Sequence, residues 1–123
     1  MPKYYLSAYG KTSDGRTRRQ VGNMDGYSTI RDARSAGYRI LQPYLTKGKG
    51  RPHGIFIYTN KEDMMAFGFP VGELSIDQPA KDAGFVSYTL IHEDGTECVH
   101  RLNRDGTLDP EILHIYRPIG AYY

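Results

Sequence analysis

Apolar and polar residues alternate in short runs along most of this chain, the two-residue period of β-strands, and glycine-bearing turns separate the runs. Residues 3–11 are rich in Tyr and alternate well enough for a first strand. Asp14-Gly15 comes next, the pair that supplies the positive φ angles of a two-residue hairpin turn. With those two residues as the loop, Lys11 faces Arg18, Tyr9 faces Gln20 and Ala8 faces Val21. One side of the hairpin then carries Leu6, Ala8, Gly10 and Val21, a core-like set. The other carries Ser7, Tyr9, Lys11, Arg16, Arg18 and Gln20, which suits solvent or a phosphate backbone.

After the turn Asn23-Met24-Asp25-Gly26 the period changes. Thr29 can cap a helix, Asp32 lies three residues on, and Ile30, Ala33 and Gly37 then share a face. Two endings are compatible with this pattern. Gly37 as the terminating residue leaves 38–45 as a strand, the preferred reading, because aromatic and β-branched residues come after it. The alternative carries the helix through Ile40 and Leu41 to the region of Pro43.

Residues 55–59, Ile-Phe-Ile-Tyr-Thr, form the clearest strand. Asn60 caps a short helix over 61–67, with Gly68 as its stop. The stretch 69–83 contains Pro70, Gly72 and Pro79 and reads as loop, with room for a short strand near 73–76. Residues 85–92 and 97–102 form two more strands around Asp94-Gly95. Asp109-Pro110-Glu111 then resembles a helix start, and Ile112, Leu113 and Tyr116 would line that helix up to Pro118.

Displaced by 80 residues, the two ends of the chain echo each other. Asp14-Gly15 falls on Asp94-Gly95, Asn23-x-Asp25-Gly26 falls on Asn103-x-Asp105-Gly106, and Thr29 falls on Asp109. The expected fold is therefore α+β, a single domain over residues 1–123 with a mainly antiparallel sheet. It is built from two ββα units, about 3–37 and 84–117, with a ββ hairpin and a short helix inserted between them.

Composition narrows the class of function without naming one. The 123 residues carry a formal charge of only +2, but residues 1–61 hold +9 and residues 62–123 hold −7. Such asymmetry points to an anionic partner for the basic half, or to pairing between the halves, within one chain or between copies in a homo-oligomer. Cys98 is the only cysteine, so an internal disulfide is excluded and a reducing, cytoplasmic setting is expected. No apolar run approaches the roughly 18 residues of a membrane span, and no membrane partner is expected.

Two basic features carry the candidate chemistry. Lys11, Arg16, Arg18 and Arg19 cluster on the first hairpin, with Tyr4, Tyr5 and Tyr9 nearby. Lys47, Lys49 and Arg51 alternate with glycines in the loop 46–54. Interleaved cations and aromatics suit nucleic acid, whose phosphates bind cations and whose bases stack on rings. Gly48, Gly50 and Gly54 have the wrong spacing for a dinucleotide fingerprint, and they precede a strand instead of a helix. The expected function is a small cytosolic binding protein that contacts nucleic acid or a nucleoprotein through these seven residues.

The alternative is a protein-binding inhibitor or adaptor in which Asp94, Glu97, Asp105, Asp109 and Glu111 mimic phosphates. Neither a nucleophile elbow nor a paired-carboxylate motif nor a metal-binding helix is visible, so no enzyme is expected. Cys98 and His100 share a strand face, but His92 falls on the other and His53 and His114 are far away, so no metal or other cofactor is expected.

Overall fold

The computed structural model describes residues 3–10, 18–45, 54–76 and 85–118. Seven strands form one antiparallel sheet: β1 (Tyr5–Tyr9), β2 (Arg18–Val21), β3 (Gly54–Tyr58), β4 (Gly72–Ser75), β5 (Ser87–Ile91), β6 (Glu97–Leu102) and β7 (Leu108–Tyr116). Their order across the sheet is β2-β1-β3-β4-β5-β6-β7. Among the described residues there are two α-helices, α1 (Ile30–Leu41) and α2 (Lys61–Met65). The chain is α+β with a mainly antiparallel sheet.

Cross-strand partners share a face, so the registers sort the side chains. Leu6 pairs with Ile57, Ala8 with Ile55, Ile55 with Leu74, and Leu74 with Tyr88. That face is the core side, where Leu6, Ile55, Ile57, Leu74 and Tyr88 are fully buried. α1 packs on it over β1, β3 and β4 with a stripe of small residues, Ala33, Ala36 and Gly37, and then Leu41. A Cβ at Gly37 would stand 2.7 Å from Leu74 Cδ2, so the missing side chain lets the helix backbone approach the sheet.

Gly37 therefore sits inside the helix and does not end it. The expected strand over 38–45 is a correction: residues 38–41 are helical, and Gln42–Tyr44 form a 3-10 turn where Pro43 cannot continue the α-helical ladder. With that strand gone, the expected inserted ββ hairpin lacks its first strand, and residues 46–53 between the helical turn and β3 lie outside the described residues. The caps match expectation. Thr29 Oγ1 accepts from Asp32 N–H at 3.0 Å, and Asn60 Oδ1 accepts from Asp63 N–H at 2.7 Å.

The second ββα unit is also corrected. One pair of turns does match: Gly26 N–H donates to Asn23 O and Gly106 N–H to Asn103 O, both at 3.0 Å, with φ of 88° and 90°, while Asp14-Gly15 lies outside the described residues. Beyond these turns the two ends diverge. Tyr27 bridges to Tyr4, which leads the chain off β2 towards α1, whereas Thr107 accepts from Asn103 N–H and keeps the chain beside β6. Residues 108–116 are then strand β7 and not a helix. The β-branched and aromatic residues Ile112, Ile115 and Tyr116 suit that ladder. Asp109 Oδ1 accepts from Glu111 N–H at 3.0 Å, a two-residue turn inside the strand that resembles a helix cap in sequence alone.

Among the described residues the first hairpin keeps its expected faces but shifts its register by two residues: Leu6 pairs with Val21, Ala8 with Arg19, and Tyr9 with Arg18. An even shift leaves each side chain on its own side. Across the middle of the sheet, a Cβ on Gly72 would collide with the Tyr88 hydroxyl and ring, so this ring lies over bare backbone. Burial pushes the Tyr88 phenol up to about 12, with Arg34 opposing the shift. The Tyr88 hydroxyl has no hydrogen-bond partner among the described residues.

Candidate functional site

The sheet face opposite α1 carries a different population. Tyr9 and Arg18 are direct partners across β1 and β2, and Phe56 and Tyr58 on β3 share their side. Gly54 pairs with Tyr9, and a Cβ there would collide with the phenol ring. The ring thus crosses β3 over Gly54, and its hydroxyl donates to the Glu73 carboxylate on β4. Tyr9 stacks on Phe56 with centroids 4.7 Å apart, and Phe56 leans on Tyr58 at 6.4 Å.

Arg18 completes this layer. Its guanidinium lies 4.5 Å from the Phe56 ring centre and 4.5 Å from that of Phe67, and Nη1 donates to the Tyr58 hydroxyl at 2.8 Å. Phe67 arrives from the end of α2, where the chain turns: Gly68 N–H donates to Asp63 O at 2.8 Å. Phe67 has φ of 56°, the only positive value at a non-glycine among the described residues. A bulky side chain in that conformation costs about 1 kcal/mol or more relative to glycine, and here it holds a ring over Arg18. The ring is 64% exposed, and Met65 at 73% and Phe69 at 96% flank it in sequence. Lys61 adds a second cation, 5.9 Å from the Tyr5 ring centre.

Of the seven basic residues singled out in the sequence, Arg18 belongs to this layer. Arg19 is exposed on the opposite face of β2, so the two neighbours do not act on one surface. Lys11, Arg16, Lys47, Lys49 and Arg51 lie outside the described residues. The points where their segments join the described chain nevertheless come together. Segment 11–17 joins Gly10 to Arg18, segment 46–53 runs into Gly54, and Tyr9 pairs with both Arg18 and Gly54. The arginines of α1 are engaged elsewhere: Arg31 pairs with Asp105 at 3.3 Å, Arg34 lies over Tyr88, and Arg39 donates to Ser35 Oγ.

The five acidic residues do not form one surface. Asp94 and Glu97 stand at the β5–β6 turn, while Asp105, Asp109 and Glu111 lie at and beyond the β6–β7 turn, with the length of β6 between them. Asp94 is held below the usual carboxylate range by the Thr96 backbone N–H, and Asp105 by the Thr107 hydroxyl and backbone N–H. His100 Nδ1 lies 2.9 Å from the Asp109 carbonyl oxygen, which only accepts, so this nitrogen carries the proton. Among the described residues no three His, Cys, Asp or Glu side chains are grouped to hold a metal ion, and no helix is long and apolar enough to cross a membrane.

Phe56, Tyr58, Lys61, Met65, Phe67 and Phe69 were not evident as site residues in the sequence. The signal was present in part: in 55–58 the isoleucines and aromatics alternate, which assigns Ile to one face and Phe and Tyr to the other. Comparison of the chain with protein-family models, with curated proteins and with solved structures finds no match.

Proposed function

We propose that this protein is a small cytoplasmic binding protein that contacts nucleic acid, free or within a nucleoprotein, through the β2-β1-β3 face. The observation that carries this reading is the convergence at Tyr9. Both segments bearing the sequence-predicted cations are anchored beside it, next to a layer of Tyr9, Phe56, Arg18 and Phe67. Cations on flanking segments supply the salt-sensitive attraction to phosphates, and the ring layer supplies a surface for bases. Lys11, Arg16, Lys47, Lys49 and Arg51 are the proposed phosphate contacts, with Arg18 ordering the layer between them.

The test is binding to labelled single- and double-stranded oligonucleotides across a salt series. Affinity that falls linearly with the logarithm of salt supports the reading, and a combined Lys47→Ala, Lys49→Ala, Arg51→Ala variant has a smaller slope. Absence of binding at low salt contradicts it.

A protein-binding inhibitor or adaptor is a second reading, favoured by one observation. Met65, Phe67 and Phe69 are exposed beside an arginine, and Met, Phe and Arg are enriched in protein interfaces. Its surface would be this patch and not the dispersed acidic residues. Capture of the same partner before and after nuclease treatment, with loss on Phe69→Ala, would favour it over nucleic acid.

A further inference from the structure

We propose that the chain carries a self-cleavage site at the Asp109–Pro110 peptide bond, with the Asp109 carboxyl as the attacking group and His100 as the donor to the scissile carbonyl. Three features of the β6–β7 ladder meet at this bond. The register breaks there: His100 pairs with Ile112 and Leu102 with Leu108, so Asp109, Pro110 and Glu111 bulge opposite Arg101. His100 Nδ1–H reaches across from β6 and donates to the Asp109 carbonyl oxygen at 2.9 Å. Asp109 Oδ1 accepts from Glu111 N–H at 3.0 Å, which folds the carboxyl over the peptide that joins Asp109 to Pro110. Oδ2 has no hydrogen-bond partner among the described residues and is left to attack.

Each feature supplies something that peptide cleavage needs. Attack by the Asp109 carboxyl on its own carbonyl carbon closes a succinic anhydride ring, an intramolecular step that needs no second molecule. Negative charge then develops on the carbonyl oxygen, where the His100 N–H already points. The leaving nitrogen belongs to a tertiary amide, whose basic ring nitrogen accepts a proton more readily than an ordinary peptide N–H. No other proline in the chain follows an aspartate, and Pro110 is exposed on an edge strand, within reach of water.

The step balances within the chain. A bond forms between Asp109 Oδ2 and the Asp109 carbonyl carbon, and the bond from that carbon to Pro110 N breaks. The electron pair goes to the nitrogen, which takes the carboxyl proton. Water then opens the anhydride, leaving two carboxyl groups on Asp109 and a free amine at Pro110. One water is consumed, and the products are residues 1–109 and 110–123.

The experiment follows the wild-type chain in mildly acidic buffer, folded and in urea, by intact mass spectrometry. The folded chain is expected to release 110–123 about a hundredfold faster than the unfolded one, which keeps the Asp-Pro sequence but loses the His100 contact. His100→Phe, with its fold checked by circular dichroism, is expected to lose about a hundredfold in the folded chain and nothing in urea. Asp109→Ala abolishes cleavage in both, and hydroxylamine traps the wild-type anhydride as a hydroxamate on Asp109. Cleavage no faster in the folded chain than in urea overturns the proposal, as does a folded His100→Phe chain that cleaves at the wild-type rate. Absence of cleavage, or cleavage without a hydroxamate, overturns it too. The wild-type comparison stands even where His100→Phe does not fold.

Discussion

Two tyrosines cross glycines on opposite sides of this sheet, and the difference between them is a hydrogen bond. Tyr9 passes over Gly54 and gives its hydroxyl to Glu73, whereas Tyr88 passes over Gly72 and buries a hydroxyl without a partner among the described residues. An unpaired buried hydroxyl is costly, so Tyr88→Phe is expected to raise stability by up to about 1 kcal/mol in urea unfolding. Gly72→Ala puts a carbon into the space of the Tyr88 ring and is expected to cost about 3 kcal/mol, with no relief from the Tyr88→Phe change because the ring itself is in the way. At Phe67 the backbone is the issue. Phe67→Gly is expected to be about 1 kcal/mol more stable than Phe67→Ala, since both lose the ring and only glycine is at ease at φ of 56°.

Among the elements, the caps and turns were legible in the sequence because their chemistry is local. Thr29, Asn60, Asp94-Gly95 and Asn103-x-Asp105-Gly106 each act within a few residues, and each forms as expected. The errors came where one residue type serves two purposes. Gly37 resembles a helix stop, but tertiary contact with Leu74 uses it for close packing. Asp109-Pro110-Glu111 resembles a helix start, but pairing with β6 decides otherwise. Local sequence does not contain the neighbour that makes either choice.

As an edge strand, β7 carries exposed Ile112, Leu113, Ile115 and Tyr116, yet two register shifts interrupt its ladder. Thr107 bonds inwards to Asn103, so alternation places Pro110 on the outer side, where its missing N–H leaves no donor for another strand. The turns also set an acid limb. Asp94 and Asp105 have lowered pKa values in the folded chain, so their contribution is complete above the ordinary value of 3.8 and is lost as pH falls through the lowered ones. Asp94→Asn with Asp105→Asn is expected to give a shallower fall in stability below about pH 4 than the wild type. Thermal unfolding from pH 2 to 7 measures it.

At the scale of the whole molecule, the sheet divides its labour by face. One side carries α1 and the apolar core, and the other brings Tyr9, Arg18, Phe56 and Phe67 into contact at the edge where both basic segments attach. The sequence put Tyr9 and Arg18 on one face of a hairpin, because alternation along a strand is a local matter, but left their register two residues out. Phe56 and Phe67 stayed hidden, because β3 pairs with β1 across an intervening helix and α2 returns Phe67 to the same layer. The proposed contact with nucleic acid is assigned to this edge. The measurement that tests it most directly is a backbone amide NMR titration with a single-stranded oligonucleotide at low salt. The account predicts shifts concentrated at Ser7, Tyr9, Arg18, Gly54, Phe56 and Phe67 and quiet amides in α1 and β7; shifts centred on α1 or on β5–β7, or none at all, would contradict it.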